Sequence, residues 1–141
     1  MDKLNYDDIG GELYEVLAQV LNRPGNRKFL DSIRGEYGVL CYLLKNTNPV
    51  NAGELREKLY VVPGRMTDIL NSLETKGFIR RERDELDKRV VNVFITDSGR
   101  REAETKRSQI HSEYAGLFEL IGYEETKELI RLLKILLTYS K

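Results

Sequence analysis

The segment from position 64 to position 72 carries polar side chains whose types and spacing suit hydrogen bonding to nucleic acid. Its apolar residues recur at i, i+3, i+4 and i+7, the spacing of one buried helical stripe, so the polar residues share the opposite face. The stripe comprises Met66, Ile69, Leu70 and Leu73, and the polar face comprises Gly64, Arg65, Thr67, Asp68, Asn71 and Ser72.

Arg65 is the strongest candidate of this face, because a planar guanidinium pairs bidentately with guanine or with phosphate. The weaker candidates for contacts with nucleic acid are Thr67, Asn71 and Ser72. The carboxylate of Asp68 repels phosphate, so we expect it to accept a hydrogen bond from cytosine or to orient Arg65. The alternative interpretation is an ordinary amphipathic helix with a solvated face.

Two helices position this face. Asn51 can cap a helix that runs to about residue 59, with Glu54 in capping-box register. Pro63 suits the first turn of a second helix, placed at residues 63–75, and Gly77 suits the left-handed residue that ends it.

A charged β-hairpin follows. β-branched and aromatic residues predict strands at 78–81 and 90–95, with a charged tip at 82–89. The helix pair alone indicates nucleic acid weakly, and a following hairpin with basic residues at its tip strengthens that indication. The predicted module is a winged helix spanning residues 34–99.

Five runs of residues, in this order, carry a family resemblance: Leu55–Leu59, Pro63–Thr67, Leu73–Arg81, Asp84–Arg89 and Phe94–Gly99. Together they resemble the MarR (multiple antibiotic resistance regulator) family of winged-helix transcriptional regulators over about residues 9–138. The most specific pieces are Leu73-Glu74 with Lys76-Gly77, Asp87-Lys88-Arg89, and Ile95-Thr96 with Gly99.

The resemblance implies roles for the hairpin tip. Asp87 would orient Arg89, and Arg89 would enter the minor groove, where a narrow groove attracts arginine. Arg83 and Lys88 would lie near phosphates. The alternative is a solvated tip with weak surface ion pairs. The chain departs from the family at Val62, where a small hydroxyl residue is common, so a phosphate would bind the helix N-terminus at Gly64 instead.

The remaining periodicity predicts helices at about 6–22, 34–46, 97–121 and 124–139. The last of these is apolar around more than half its circumference, so one small domain cannot cover it. We expect a homodimer formed by residues 1–33 and 100–141, in a single 141-residue chain of mostly α (α+β) fold with a helical dimerisation lobe. The alternative is a helix buried within its own chain.

By the same resemblance, a crevice beside the long helix could take an aromatic or anionic ligand, lined by Arg34, Tyr37, His111 and Tyr114. The alternative for His111 is an interface histidine whose hydrogen bonds are satisfied. Cys41 lies among leucines with no adjacent cation to lower its pKa, so a buried structural thiol is favoured over a redox sensor.

Composition narrows the function classes. Lys plus Arg and Asp plus Glu both number 23, so DNA binding must come from local placement rather than net charge. Even residues 62–89 hold seven basic and six acidic residues. One cysteine and one histidine predict neither disulfides nor a metal site, and no catalytic motif, cofactor site or membrane span is recognised. We expect a cytoplasmic protein that is not an enzyme.

These patterns together favour sequence-specific binding of double-stranded DNA at a palindromic operator, for repression relieved by a small ligand. Two alternatives stay open. One is a winged-helix protein-interaction module without DNA binding, and the other is a thiol redox regulator using Cys41.

Overall fold

The computed structural model describes residues 5–25 and 33–139 of the 141-residue chain. The chain forms two compact units, Met1–Arg100 and Arg101–Lys141. The helices that lie wholly within the described residues are α1 (Tyr6–Asn22), α2 (Glu36–Lys45), α3 (Ala52–Lys58), α4 (Pro63–Thr75), α5 (Asp97–Glu119) and α6 (Tyr123–Leu137). The strands are β1 (Val50–Asn51), β2 (Ile79–Arg83) and β3 (Val91–Ile95).

The core of the first unit is built from α2, α3, α4 and β3. Its largest fully buried side chains are Val39, Leu40, Leu55, Met66, Leu73 and Val93. The predicted stripe of α4 is confirmed, because all four of its apolar residues are buried. Burying one side of α4 turns its polar side toward solvent.

The strands form an antiparallel sheet in the order β1-β3-β2. The predicted hairpin is present, although β2 runs to Arg83, two residues into the segment predicted as its tip. The short strand β1 was missed, because two residues give no periodic signal. The mostly α winged-helix fold with a small sheet is thus confirmed. The assignment of residues 1–33 and 100–141 to dimerisation stays a prediction.

The ends of α3 and α4 follow their local chemistry. Asn51 caps α3, since its side chain accepts from the Glu54 N–H at 2.8 Å. The capping box is only half formed, because the Glu54 carboxylate accepts from Tyr42 Oη at 2.8 Å and raises the pKa of that tyrosine. Gly77 adopts φ +79° and ends α4 in a Schellman arrangement, with Phe78 N–H bound to the carbonyl of Leu73.

The base of the hairpin is joined to the start of α5. Thr96 donates from its hydroxyl to the carbonyl of Gly77 at 2.6 Å and from its N–H to the carbonyl of Phe78 at 3.0 Å. Its hydroxyl also accepts from the N–H of Gly99, and this bond caps α5. A Cβ at Gly99 would collide with the Phe78 carbonyl oxygen, so this close approach requires glycine.

In the second unit, Gly122 at φ +113° separates α5 from α6. None of the side chains of α6 is buried, and its Leu129, Ile130, Leu132, Leu133, Ile135, Leu136 and Leu137 are 39–84% exposed. None of the helices within residues 5–25 and 33–139 is both long and apolar enough to cross a lipid bilayer.

Candidate nucleic-acid interface

The exposed face of α4 contains all six residues predicted for it. Gly64, Arg65, Thr67, Asp68 and Asn71 are exposed and Ser72 is half-buried. Among the described residues, neither the side chain of Arg65 nor that of Asp68 has a hydrogen bond or ion pair. The suggestion that Asp68 holds Arg65 is therefore wrong in the unbound protein, and Arg65 keeps all its donors.

The hydroxyl of Thr67 already donates its proton within α4. It donates to the carbonyl of Pro63 at 3.1 Å, one helical turn earlier. With its proton used inside α4, this hydroxyl offers only acceptor lone pairs. It suits the amino group of a base better than a phosphate oxygen.

Asn71 is held by a residue that the sequence analysis did not single out. Arg81 of β2 donates from Nη2 to Asn71 Oδ1 at 2.7 Å and to Glu74 Oε1 at 3.0 Å. Its backbone N–H donates to Glu74 Oε2 at 3.0 Å, and these bonds lower the pKa of Glu74. This bond uses one of the two lone pairs of Asn71 Oδ1 and fixes the orientation of the amide, whose N–H groups have no partner among the described residues.

The tip of the hairpin is organised by Asp84. One carboxylate oxygen accepts from the backbone N–H groups of Leu86 and Asp87, both at 3.0 Å, and the other accepts from Asn92 Nδ2 at 3.0 Å. These three hydrogen bonds lower the pKa of Asp84, with the bond from Asn92 contributing most. Acids that looked unfavourable for DNA binding by charge count therefore fold the tip.

Arg89 is bound by Asp87, the residue expected to orient it. Its Nε and Nη2 donate to Asp87 at 3.1 and 3.3 Å, and its backbone N–H donates to the same carboxylate at 3.1 Å. The Arg89 side chain nevertheless stays 92% exposed. Bonding to Arg89 lowers the pKa of Asp87, so the carboxylate remains charged and orients a guanidinium that faces solvent.

The other two basic residues of the tip differ from each other. Arg83 donates from Nη1 to the carbonyl of Lys88 at 2.9 Å, which closes the loop between the two strands. Lys88 itself is exposed. Arg83 therefore supports the loop and keeps its remaining donors, whereas Lys88 can reach a phosphate freely.

The N-terminus of α4 lacks a side-chain cap, as expected from Val62. Pro63 occupies the first turn, and nothing lies within 4 Å of the position that a Cβ on Gly64 would take. Pro63 and Thr67 line one groove together with Arg89. The start of α4 and the tip of the hairpin therefore border a common surface.

The residues predicted for a ligand pocket fall in different units. Arg34 is exposed and Tyr37 half-buried in the first unit, whereas His111 is exposed and Tyr114 half-buried on α5 in the second. Tyr114 stacks on Phe118 with ring centres 5.8 Å apart, and burial raises its pKa. A shared pocket stays a prediction. Cys41 is half-buried rather than buried, because it lies at the edge of the α2 core face.

Known proteins match this arrangement. A sequence model of the MarR family matches residues 36–91. The HTH-type transcriptional regulator YkoM of Bacillus subtilis (strain 168), itself uncharacterized, is 33% identical over 128 residues, which cover 86% of this chain and 82% of YkoM. The chain belongs to the MarR family.

Solved structures agree with this membership. A MarR family protein from Bacillus stearothermophilus has the same fold, with a TM-score of 0.71 at 24% identity over 95% of this chain and 96% of that one. FabT of Streptococcus pneumoniae, solved in complex with DNA, has a TM-score of 0.58 at 25% identity, covering 94% of each chain. This MarR-family protein is a DNA-binding transcriptional regulator, as predicted.

Proposed function

We propose that two copies of this regulator bind a palindromic DNA operator and repress transcription from it. The observation that carries the proposal is the common surface of α4 and the hairpin tip, because a helix in the major groove and an arginine in the adjacent minor groove must act together. Arg65, Thr67 and Asn71 would contact the major groove, with Asp68 and Ser72 beside them, and Arg89 would enter the minor groove. Lys88, Arg83 and the N–H groups near Gly64 would bind phosphates.

The exposed apolar side chains of the terminal helices support a homodimer. No described residue of α1 or α6 is buried, although both helices carry leucine, isoleucine or valine along their length. A face of this kind would aggregate unless a partner covers it. A dimer with two-fold symmetry would place its two copies of α4 in major grooves about 10 base pairs apart, which is one turn of DNA. A palindromic operator has the same two-fold symmetry.

The resemblance to the family supports relief of repression by a small aromatic or anionic ligand. Such a ligand acts only if it binds one shape of the dimer more tightly than the other. The acidic residues of the hairpin tip do not favour a protein-interaction module without DNA binding, because Asp84 and Asp87 accept hydrogen bonds within the tip.

The Arg89→Ala variant tests this proposal. We expect operator affinity to fall at least about tenfold, because a minor-groove arginine contact is lost while the fold is intact. Binding would be titrated by fluorescence anisotropy at fixed salt, on a duplex selected from random sequences. Arg107→Ala, another exposed arginine, is the matched control.

Two further measurements complete the test. Sedimentation equilibrium should give twice the chain mass of 16.4 kDa for wild type and for both variants. Equal affinity of the Arg89→Ala variant and wild type would refute the assignment of Arg89. A monomeric wild type would refute the dimer.

A further inference from the structure

A groove of about 350 Å³ lies in the first unit between α3, the start of α4 and the start of β3. Its lining residues are Asn51, Ala52, Gly53, Arg56, Pro63, Met66, Thr67, Leu70, Arg89, Val90 and Val91. Arg56 and Arg89 are positively charged, and no lining residue carries a carboxylate. In a chain of zero net charge, this local excess of positive charge favours an anion in the groove.

We propose that this groove holds the DNA sugar-phosphate strand that separates the major groove from the minor groove, with Arg56 binding one of its phosphates. The inference rests on the proposed function. If α4 occupies the major groove and Arg89 the adjacent minor groove, the strand between those grooves must cross the space between α4 and the hairpin tip. The groove occupies that space.

Arg56 has the geometry of a phosphate ligand. Its side chain is exposed on α3, and it has no hydrogen bond or ion pair with another described side chain. Its backbone carbonyl accepts from the N–H of Val61 at 3.0 Å, which ties the turn after α3 to the residue that bears the guanidinium. The planar guanidinium can donate two parallel hydrogen bonds to one phosphate.

The other polar and charged residues of the groove are less suited than Arg56 to binding the phosphate. The hydroxyl proton of Thr67 is directed to Pro63, so Thr67 cannot donate to phosphate without breaking that bond. Arg89 is tied to Asp87 at the rim, and its charge is partly balanced there. Arg56 is thus the lining cation without a carboxylate partner among the described residues. Periodicity does not tell which basic residue of α3 faces the hairpin, so the sequence did not point to Arg56.

The test compares Arg56→Gln with Lys58→Gln. Both substitutions remove one positive charge from exposed positions of the same helix, but Lys58 does not line the groove. Affinity would be measured on a duplex selected from random sequences and on an unrelated duplex, over a series of salt concentrations. Thermal melting of each variant establishes that it is folded.

We expect Arg56→Gln to weaken binding about tenfold or more on both duplexes, because a charge-assisted phosphate contact carries no sequence information. The slope of log affinity against log salt should become shallower by about 0.9. Lys58→Gln should change affinity less than about threefold, since it alters only the screened long-range field.

Three results overturn the inference. They are equal losses for the two variants, an unchanged salt slope for Arg56→Gln, and a loss confined to the selected duplex. Failure of the wild-type protein to bind any duplex would instead refute the proposed function. The two failures are therefore distinguishable.

Discussion

The Gly99→Ala substitution probes the joint between the hairpin base and α5. The added Cβ would collide with the carbonyl oxygen of Phe78 and lie 2.9 Å from Cγ1 of Ile95. That carbonyl cannot easily move away, because it accepts the N–H of Thr96 at 3.0 Å. The neighbouring backbone must therefore shift to relieve the overlap.

The cost follows from two opposing effects. Overpacking of this kind destabilises by about 1–3 kcal/mol, whereas alanine in place of glycine in a helix stabilises by up to about 1 kcal/mol. We expect a net loss of about 1–2 kcal/mol, which lowers Tm by about 3–8 °C for a chain of this size. DNA affinity should also fall, because the joint sets the position of the hairpin.

The assay is thermal unfolding by circular dichroism at equal protein concentrations, since a dimer makes Tm concentration-dependent. Gly64→Ala is the matched control, because it adds the same methyl group to a helix where nothing lies within 4 Å. It should keep or raise Tm. A Gly99→Ala variant as stable as the Gly64→Ala variant would show that the close approach is not constrained.

Two further predictions concern the hydrogen bonds of the wing and α4. Arg81→Ala removes the hydrogen bond that fixes the orientation of the Asn71 amide, so the amide can rotate into bidentate pairing with adenine. A base-by-base duplex scan should show adenine newly tolerated at one half-site position, with no such change for Arg80→Ala; an identical profile would exclude Asn71 as a reader. Acid should loosen the hairpin tip. Folding lowers the pKa values of Asp84 and Asp87 below 3.8, so their stabilisation is present above about pH 4 and is lost as pH falls through the lowered values. Amide chemical shifts of Leu86 and Asp87 should follow this loss, and an Asp84→Asn variant should keep only the transition of Asp87.

Local chemistry made much of the fold predictable. The apolar spacing from Met66 to Leu73 fixed the buried side of α4, and the need for a left-handed residue fixed the role of Gly77. Each signal is contained in a few consecutive residues, so no tertiary information was required. The pairing of Asp87 with Arg89 was expected only from the resemblance to the family, and the structure contains it.

Contacts between distant residues were not predictable in this way. Arg81 forms a hydrogen bond with Asn71, ten positions away in the sequence, and Tyr42 forms one with Glu54, twelve positions away. Nothing in periodicity distinguishes Arg81 from Arg80, which instead lies over the ring of Phe94 at 4.6 Å. A count of charges carries no information on contacts either. It does not distinguish an acidic residue that faces DNA from one that accepts hydrogen bonds from backbone N–H groups, as Asp84 does.

The hydrogen bonds around Asp84 bear on the thermodynamics of complex formation. A tip that is already ordered loses little conformational entropy on contact with a duplex. The heat-capacity change of association should then reflect the surface buried at the interface, without the large extra contribution that accompanies folding on binding. An encounter with DNA would need no slow rearrangement of the tip, so the lifetime of the complex rather than its rate of formation would distinguish good operators from poor ones.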